Sequence, residues 1–198
     1  MENALINKGV NGILLGEEWP EYRLVIPADE PVSKQVRHLR MQWEILYGKD
    51  SVSEKPPSVT LACFSAREEM EETLIRWIQR ICDQQNSFSV TLNNISAMPP
   101  HMIYIRVQDE KPFSKLAHKL KALEDFMKDR RIFEKPFIKL GQLPSDIPTG
   151  NFMLYTHQLF HAAFMARKLI LFRKEKDNWR VVSNFPFRKK DEQEESVN

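Results

Sequence analysis

Two segments of the chain, about 80 residues apart, carry side chains that together could hold a phosphate group. The first reads Ser58-Val59-Thr60 and the second reads Phe137-Ile138-Lys139. If both segments are β-strands, the first and third residues of each share a face, because side chains alternate along a strand. Hydroxyls and a lysine ammonium bind phosphate oxygens, the ammonium through charge-assisted hydrogen bonds. We therefore take Ser58, Thr60, Phe137 and Lys139 as candidate site residues.

The same alternation adds ligand-binding candidates in other strand-like segments. In residues 102–107, apolar positions alternate with Tyr104 and Arg106, which would share the polar face. His161 opens a later segment, and it is the one histidine of five whose strand position could turn it inward. A phosphate on the cations and a base stacked on Phe137 or Tyr104 would fit this set. A plainer interpretation stays open, since the solvent-facing side of an antiparallel sheet is normally polar as well.

Acid–base catalysis by Ser58 or Phe137, the first residues of the two segments, is not expected. A general acid or base must titrate near the working pH. Ser58 does not do so near neutrality, and Phe137 does not titrate at all. The chain has no His-Glu-x-x-His segment, and Cys63 and Cys82 have no metal-site spacing. We therefore predict no metal and no cofactor, and we expect both cysteines to be reduced core residues.

The elements that must position these residues occur in a repeated order of strand, helix and strand. Each helix of the repeat has a proline near its first turn, where the missing N–H is tolerated. Such a repeat predicts two related units that face each other. The predicted strands are 22–26, 58–64, 102–107 and 137–142, and the predicted helices are 31–47, 67–83 and 112–129.

The remaining segments complete an α+β fold. A strand is predicted at 88–93, a short helix around 152–159, and a long strand at 161–173 that pairs with 179–187 as a hairpin. We predict one two-lobed domain over residues 1–187, with repeats at about 20–95 and 100–187. Residues 188–198 are charged and lack an apolar face, which predicts a disordered tail.

Composition limits the kinds of partner. The formal net charge of +2 is close to neutral, so no overall field favours DNA or an acidic membrane surface. The N-terminal apolar run is too short for a signal peptide or a membrane span. We therefore expect a cytoplasmic protein, and no oligomeric state follows from the sequence.

A duplicated strand–helix–strand unit whose second strand begins Pro-x-[Val/Ile]-x-Leu resembles the 2H phosphoesterases, the 2′-5′ RNA ligase-like (LigT-like) superfamily. In that family each second strand carries His-x-Thr; one histidine acts as general base, the other as general acid, and the hydroxyls hold the phosphoryl oxygens. The resemblance places Ser58 and Phe137 at the histidine positions and Thr60 and Lys139 at the hydroxyl positions. It implies a degenerate member with mostly antiparallel sheets facing a central groove and helices outside.

Three functions remain as hypotheses. The first is a protein without phosphodiesterase activity whose groove binds a nucleotide, an RNA end or another phosphorylated ligand. The second is an active RNA 2′,3′-cyclic phosphodiesterase or 2′-5′ RNA ligase-like enzyme that uses non-standard residues, such as His161 with Lys139. The third is a protein-interaction domain.

Overall fold

The computed structural model describes residues 19–98, 101–143, 159–176 and 178–189. The helices are α1 (Glu30–Tyr47), α2 (Glu71–Asp83) and α3 (Lys111–Leu120), with 3-10 segments at Lys49–Ser51, Glu68–Met70 and Lys121–Phe126. The strands are β1 (Glu21–Pro27), β2 (Ser58–Ser65), β3 (Phe88–Met98), β4 (Met102–Val107), β5 (Lys128–Ile132), β6 (Phe137–Gln142), β7 (His161–Ala166), β8 (Lys168–Glu175) and β9 (Asn178–Pro186). The short helix predicted around 152–159 falls almost entirely outside the described residues.

The strands form two antiparallel sheets. The first has the order β5-β2-β1-β8-β9 and the second has the order β6-β4-β3-β7. The four strands of the predicted repeat are present at the predicted positions, with β1 paired to β2 and β4 paired to β6. The α+β prediction is therefore confirmed, and each candidate pair lies on a strand of a different sheet.

Local sequence explains where α1 begins and ends. The carboxylate of Asp29 accepts a hydrogen bond from the Val32 N–H at 3.1 Å, and Pro31 lies in the first turn. The helix ends at Gly48, whose φ of 85° favours a residue without a Cβ. These two signals fix the length of the helix that leads from β1 towards β2.

The apolar alternation of the sequence forms the core. Each fully buried aliphatic side chain contributes about 1.5–3 kcal/mol relative to exposure. All members of the predicted apolar set are at most 5% exposed: Val59, Leu61, Ile103, Ile105, Val107, Ile138 and Leu140. Their alternates are thereby directed to the opposite faces of the sheets.

The helix predicted at 112–129 is too long. It ends at Leu120, continues as a 3-10 segment to Phe126, and gives way to β5. Strand β5 pairs along the edge of β2, with Arg131 opposite Cys63 and Lys128 opposite Ser65. Pairing with the edge of β2, which is distant in sequence, overrides the local helical pattern of this segment. Such a pairing cannot be predicted from the periodicity of the segment alone.

The long strand predicted at 161–173 is two strands in different sheets. Strand β7 pairs with β3 in the second sheet, and β8 pairs with β1 and β9 in the first. Only Arg167 separates them, and its carbonyl accepts a hydrogen bond from the Phe187 N–H at 2.7 Å. The hairpin of β8 with β9 is as predicted. The chain therefore crosses between the sheets at Arg167.

The two sheets do not follow the two sequence repeats. Strand β3, from the first half of the chain, lies in the second sheet, whereas β5, β8 and β9, from the second half, lie in the first. The buried side chains of both sheets belong to one hydrophobic cluster. Each sheet therefore needs residues from both repeats.

Three smaller expectations are corrected. Cys82 is buried, which raises its thiol pKa to about 12, but Cys63 is only partly buried and both are free. Trp77 follows Leu74 by three residues in the helical pattern of residues 67–83, a spacing that predicts a buried side chain, but it is 39% exposed with the Arg80 guanidinium 5.3 Å from its ring centre. Arg188 is not part of a disordered tail, because its N–H and C=O bond to Gln85 and Ser87; residues 190–198 lie outside the described residues.

Candidate functional site

The two candidate pairs alternate with buried residues as predicted. Ser58 and Thr60 are partly exposed at the start of β2, and Phe137 and Lys139 are partly exposed at the start of β6. Val59 and Ile138, which separate the members of each pair, are fully buried. Both pairs therefore project away from the core.

Main-chain contacts bring the two strands together at the junction of the sheets. The Ser53 N–H donates to the Leu140 carbonyl at 2.8 Å, and Val52 forms an antiparallel bridge with Gly141. A Cβ on Gly141 would lie 2.0 Å from the Ser51 carbonyl oxygen, so this approach requires glycine. The segment that leads into β2 is thus fixed against β6.

A buried arginine reinforces the junction. Arg40 of α1 is 8% exposed, and its guanidinium donates to the carbonyls of Lys55 and Lys139. Burial, and to a smaller extent the charge of Arg37, lowers the pKa of Arg40 to about 10, so it stays charged at neutral pH. One cation therefore links the loop before β2 to the middle of β6.

Strand β4 adds an aromatic ring and a cation beside the second pair. Tyr104 lies directly opposite Lys139, and Arg106 lies directly opposite Phe137. Residues opposite each other in an antiparallel pair share a face. The Tyr104 and Phe137 ring centres are 5.3 Å apart. Arg106 is exposed and lies two residues farther along β4 than Tyr104. Tyr104 rather than Arg106 is therefore the nearest cross-strand neighbour of Lys139.

His161 shares this face but is distant from the pairs. It lies opposite Asn93, which lies opposite Arg106, so it stands on the far edge strand β7. Neighbouring strands are about 4.8 Å apart, which puts three strand spacings, roughly 14 Å, between the backbones of His161 and Phe137. His161 and Lys139 are therefore too far apart to share a proton directly.

The other histidines of the described residues lie elsewhere. His38 is exposed on α1, with a ring nitrogen 3.1 Å from the Gln42 amide nitrogen, and His118 is exposed on α3. His101 adjoins β4, where its main chain accepts from the Leu143 N–H. Within this part of the chain, no histidine occupies either candidate pair.

Three further residues belong to the site and were missed from the sequence. Arg23 of β1 lies opposite Cys63, on the face of the first sheet that Thr60 shares. Its guanidinium is 4.0 Å from the ring centre of Trp179 on β9, and the Lys55 ammonium is 5.8 Å from the same ring. Strand β1 and the loop before β2 therefore each supply a cation, and β9 supplies an indole, beside the candidate pairs.

Electrostatics connects these cations to Lys139. Partial burial lowers the pKa of Lys55, and the positive charges of Arg23 and Lys139 lower it further. Among the described residues, none of the three forms an ion pair with a carboxylate. Glu21, whose charge also acts on Lys55, is bonded to Lys174 at 2.6 Å. The surface beside the two candidate pairs, which we call the groove, thus holds three like charges: Arg23 from the first sheet, Lys139 from the second, and Lys55 from the loop before β2. We call Arg23, Lys55 and Lys139 the cation cluster.

The hydroxyls and the lysine have few competing partners. The Ser58 hydroxyl donates to the Pro56 carbonyl at 3.1 Å, and the Lys139 ammonium donates to the Gln142 side-chain oxygen at 3.3 Å. An ammonium has three donors. Lys139 therefore retains donors that can bind an anion.

The missed residues differ in what the sequence could reveal. Arg23 alternates with buried Tyr22 and Leu24, so strand parity would have placed it on the groove face. Lys55 lies in the loop before Pro56 and Pro57, where no periodicity applies. Trp179 lies inside the predicted hairpin, but the face of the sheet on which its side chain lies depends on the strand register, which the sequence does not specify.

Neither of two surface pockets is lined by a member of the candidate pairs, although one of them is lined by Lys55. One, of about 340 Å³, is between α1 and the loop that contains Lys55, and it is lined by Arg40, Met41 and Pro57 among others. Another, of about 380 Å³, is formed by His38, Phe160 and their neighbours on α1. In the described residues, no cluster of histidine, cysteine and carboxylate side chains is suited to a metal ion, and no helix is long and apolar enough to cross a membrane.

Two curled antiparallel sheets with few helices form a fold that matches the LigT-like 2H phosphoesterase structures. The chain belongs to the 2′-5′ RNA ligase superfamily, whose family profile matches residues 28–178. No curated protein matches the chain significantly in sequence.

Solved structures show the same fold. TT0787 of Thermus thermophilus is similar with a TM-score of 0.70 and 19% identity over 85% of this chain and 98% of that one. E. coli LigT complexed with 3′-AMP is similar with a TM-score of 0.67 and 17% identity, covering 86% and 99%. The MHV ns2 PDE domain gives a TM-score of 0.55 at 14% identity, covering 78% and 100%.

Proposed function

We propose that this chain is a degenerate 2H phosphoesterase-like protein that binds a nucleotide, an RNA end or another phosphorylated ligand without cleaving it. The observation that carries the proposal is the cation cluster, Arg23, Lys55 and Lys139, beside the two candidate pairs. Arg23 and Lys55 lie 4.0 and 5.8 Å from the same Trp179 ring centre, and the charges of Arg23 and Lys139 both act unfavourably on the Lys55 ammonium, so the three cations repel one another. A bound phosphate would relieve that repulsion, which makes an anion the ligand that the groove fits best.

The absence of hydrolysis follows from the residues at the two histidine positions of the family. Ser58 and Phe137 cannot exchange protons with a phosphodiester near neutral pH. Each general acid or base contributes typically 10²–10⁴-fold to the rate. The described histidines lie outside both pairs, and His161 is about three strand spacings from Phe137.

Aromatic rings on both sides of the cation cluster favour a ligand that carries a base. Tyr104 and Phe137 lie on the second sheet, and Trp179 lies on the first. Bases stack on such rings with little dependence on sequence. Solved structures of E. coli LigT contain 3′-AMP, ATP and NADP+, and a nucleotide ligand for this chain agrees with them.

A cytoplasmic location remains part of the proposal. Both cysteines are free, as is usual for proteins of a reducing compartment. An interaction domain would not need a cation cluster in its groove, so we place it second.

Titration calorimetry with 3′-AMP tests the proposal. The wild-type protein is expected to bind 3′-AMP, and Lys139→Ala is expected to weaken binding roughly 10- to 100-fold, because a charged hydrogen bond contributes about 1.5–3 kcal/mol. Lys115→Ala, on the exposed face of α3, removes the same charge outside the groove and should leave affinity unchanged. Equal affinities for wild type and Lys139→Ala would remove Lys139 from the site, and no binding would favour an interaction domain.

A further inference from the structure

The pocket of about 340 Å³ between α1 and the loop before β2 has a lining of mixed character. We call it the α1 pocket. Its lining contains four cations but only two carboxylates, and the cations are Arg37, Arg40, Lys49 and Lys55. Apolar side chains, among them Met41, complete the lining. An excess of cations beside apolar side chains is a lining that suits an organic anion.

Arg40 is the buried cation of this lining. It is 8% exposed, and its guanidinium donates to the main-chain carbonyls of Lys55 and Lys139. Among the described residues, its Nε–H has no acceptor and no carboxylate offsets its charge. Buried charges are normally paired, because removing a charge from water is unfavourable. The α1 pocket therefore contains a desolvated cation that lacks an anion.

The donors of Arg40 are only partly used. A guanidinium has five N–H donors, and the two carbonyls accept one each. The Nε–H and a neighbouring N–H of the same planar group form a fork that matches two oxygens of one anion. Two other cations of the lining, Arg37 and Lys49, already pair with glutamates at 2.7 and 3.7 Å. The free donors of Arg40 are thus available to a ligand.

The surroundings of Arg40 favour a singly charged ligand with an apolar body. Glu44 and Glu54 also line the pocket, and they oppose a doubly charged phosphate more strongly than a carboxylate. Met41 lines the pocket and Ile45 lies one turn farther along α1, and both side chains are more than half exposed. Exposed apolar side chains rimmed by polar residues mark a binding surface in many proteins.

We propose that the α1 pocket binds a carboxylate on an apolar body, with the carboxylate on Arg40 and the apolar body against Met41 and Ile45. A small carboxylic acid and the carboxylate of a peptide share this chemistry. No member of the candidate pairs lines the pocket, so the inference does not depend on the proposed function.

Three probes separate the charge from the apolar body. 4-Phenylbutyrate has both, 4-phenylbutan-1-ol has the body alone, and acetate has the charge alone. In titration calorimetry, the wild-type protein should bind phenylbutyrate roughly 10- to 100-fold more tightly than the alcohol, because a charged hydrogen bond contributes about that factor. It should bind acetate about 10-fold or more weakly than phenylbutyrate, because acetate removes little apolar surface from water.

A peptide probe distinguishes the two sources of the carboxylate. The probe is N-acetyl-leucyl-leucine, and its C-terminal amide is the uncharged control. Tighter binding of the peptide acid than of phenylbutyrate would assign the pocket to a polypeptide partner, and the reverse order would assign it to a small acid. Either order supports the proposal. Peptide acid and amide of equal affinity would contradict it.

Met41→Glu tests the location of the ligand, because Arg40→Ala also removes the link to Lys139 and can unfold the protein. The new carboxylate at the exposed wall of the pocket should weaken phenylbutyrate binding about 10-fold or more. Met165→Glu on β7 is the matched control, since it makes the same change at a similarly exposed methionine outside the pocket. It should leave the affinity for phenylbutyrate unchanged, and so should Lys139→Ala in the groove.

The Nε–H of Arg40 gives a readout at the site itself. Its proton–nitrogen NMR signal can be assigned through its connections to the Arg40 backbone. This signal should shift as phenylbutyrate saturates the wild-type protein, because the Nε–H gains an acceptor. It should stay in place at the same ligand concentrations in Met41→Glu.

The outcomes separate this inference from the proposed function. It would be overturned if the wild type bound neither phenylbutyrate nor the peptide acid, or if the Arg40 signal did not move at saturation. Equal affinities of Met41→Glu and Met165→Glu would also overturn it. Loss of phenylbutyrate binding in Lys139→Ala would place the ligand in the groove and contradict this inference alone. Failure to bind 3′-AMP would count against the proposed function and leave the α1 pocket unaffected.

Discussion

The guanidinium of Arg40 donates a hydrogen bond of 2.6 Å to the main-chain carbonyl of Lys139. The same guanidinium donates to the carbonyl of Lys55, so one buried side chain positions the backbones of two members of the cation cluster. The like charges of Lys55 and Lys139 repel each other, and this link holds their backbones close together despite that repulsion.

Replacing Arg40 should therefore damage both stability and the groove. Arg40→Ala leaves two carbonyls without their charged donor and is expected to lower the free energy of unfolding by roughly 2–4 kcal/mol. Urea unfolding measures this change. Arg37→Ala, one turn earlier, removes an exposed ion pair with Glu30 and should change stability by less than about 1 kcal/mol. Equal effects of the two changes would show that the buried link is unimportant.

Gly141 is expected to tolerate no side chain. In Gly141→Ala the new Cβ would meet the Ser51 carbonyl at 2.0 Å, and moving that backbone should lower stability by about 1–3 kcal/mol and weaken 3′-AMP binding. Gly48→Ala is the comparison, because it has open space but a positive φ of 85° and lies outside the groove. It should destabilise the protein through backbone strain and leave the affinity for 3′-AMP unchanged.

Lys55 should be unfavourable for stability and favourable for binding. The pKa of Lys55 is lowered in the folded protein, by burial first and by Arg23 and Lys139 next. A cation with a lowered folded pKa destabilises the fold below that pKa, and the penalty disappears as the pH rises above it. Lys55→Met should thus raise the melting temperature at pH 7 and weaken 3′-AMP binding. A lower melting temperature with unchanged affinity would contradict this account.

Restoring the family's residues tests the assignment of the two histidine positions. The double change Ser58→His with Phe137→His is expected to give measurable hydrolysis of 2′,3′-cyclic AMP, at least 10-fold above either single change, because a base and an acid are both needed. The single variants are the controls for folding and for adventitious cleavage. A folded double variant that turns over no faster than the singles would argue that these positions do not face one phosphate.

Much of this site could be predicted because it lies on strands. Val59 and Ile138 are buried, and strand alternation correctly predicted that their neighbours project away from the core: Ser58, Thr60, Phe137 and Lys139. The interpretation failed where tertiary pairing decides structure. Strand β5 exists because it meets the edge of β2, and the break at Arg167 exists because the chain changes sheets there.

The place of Lys55 in the cation cluster was beyond the same reasoning for a related cause. Lys55 is in a loop, and its approach to Lys139 depends on Arg40 and on the contact at Gly141. These contacts join residues far apart in sequence, and no local pattern encodes their partners.

The measurement that tests the central claim most directly is a phosphorus NMR titration of the wild-type protein with 2′,3′-cyclic AMP. One spectrum reports both binding and cleavage, because the cyclic phosphate and its monophosphate products resonate at different positions. We predict a saturable shift of the cyclic phosphate signal that is reduced in Lys139→Ala, with no conversion during prolonged incubation. Conversion of the cyclic phosphate to a 2′- or 3′-monophosphate by the wild-type protein would contradict the account. So would a cyclic phosphate signal that does not shift when the wild-type protein is added.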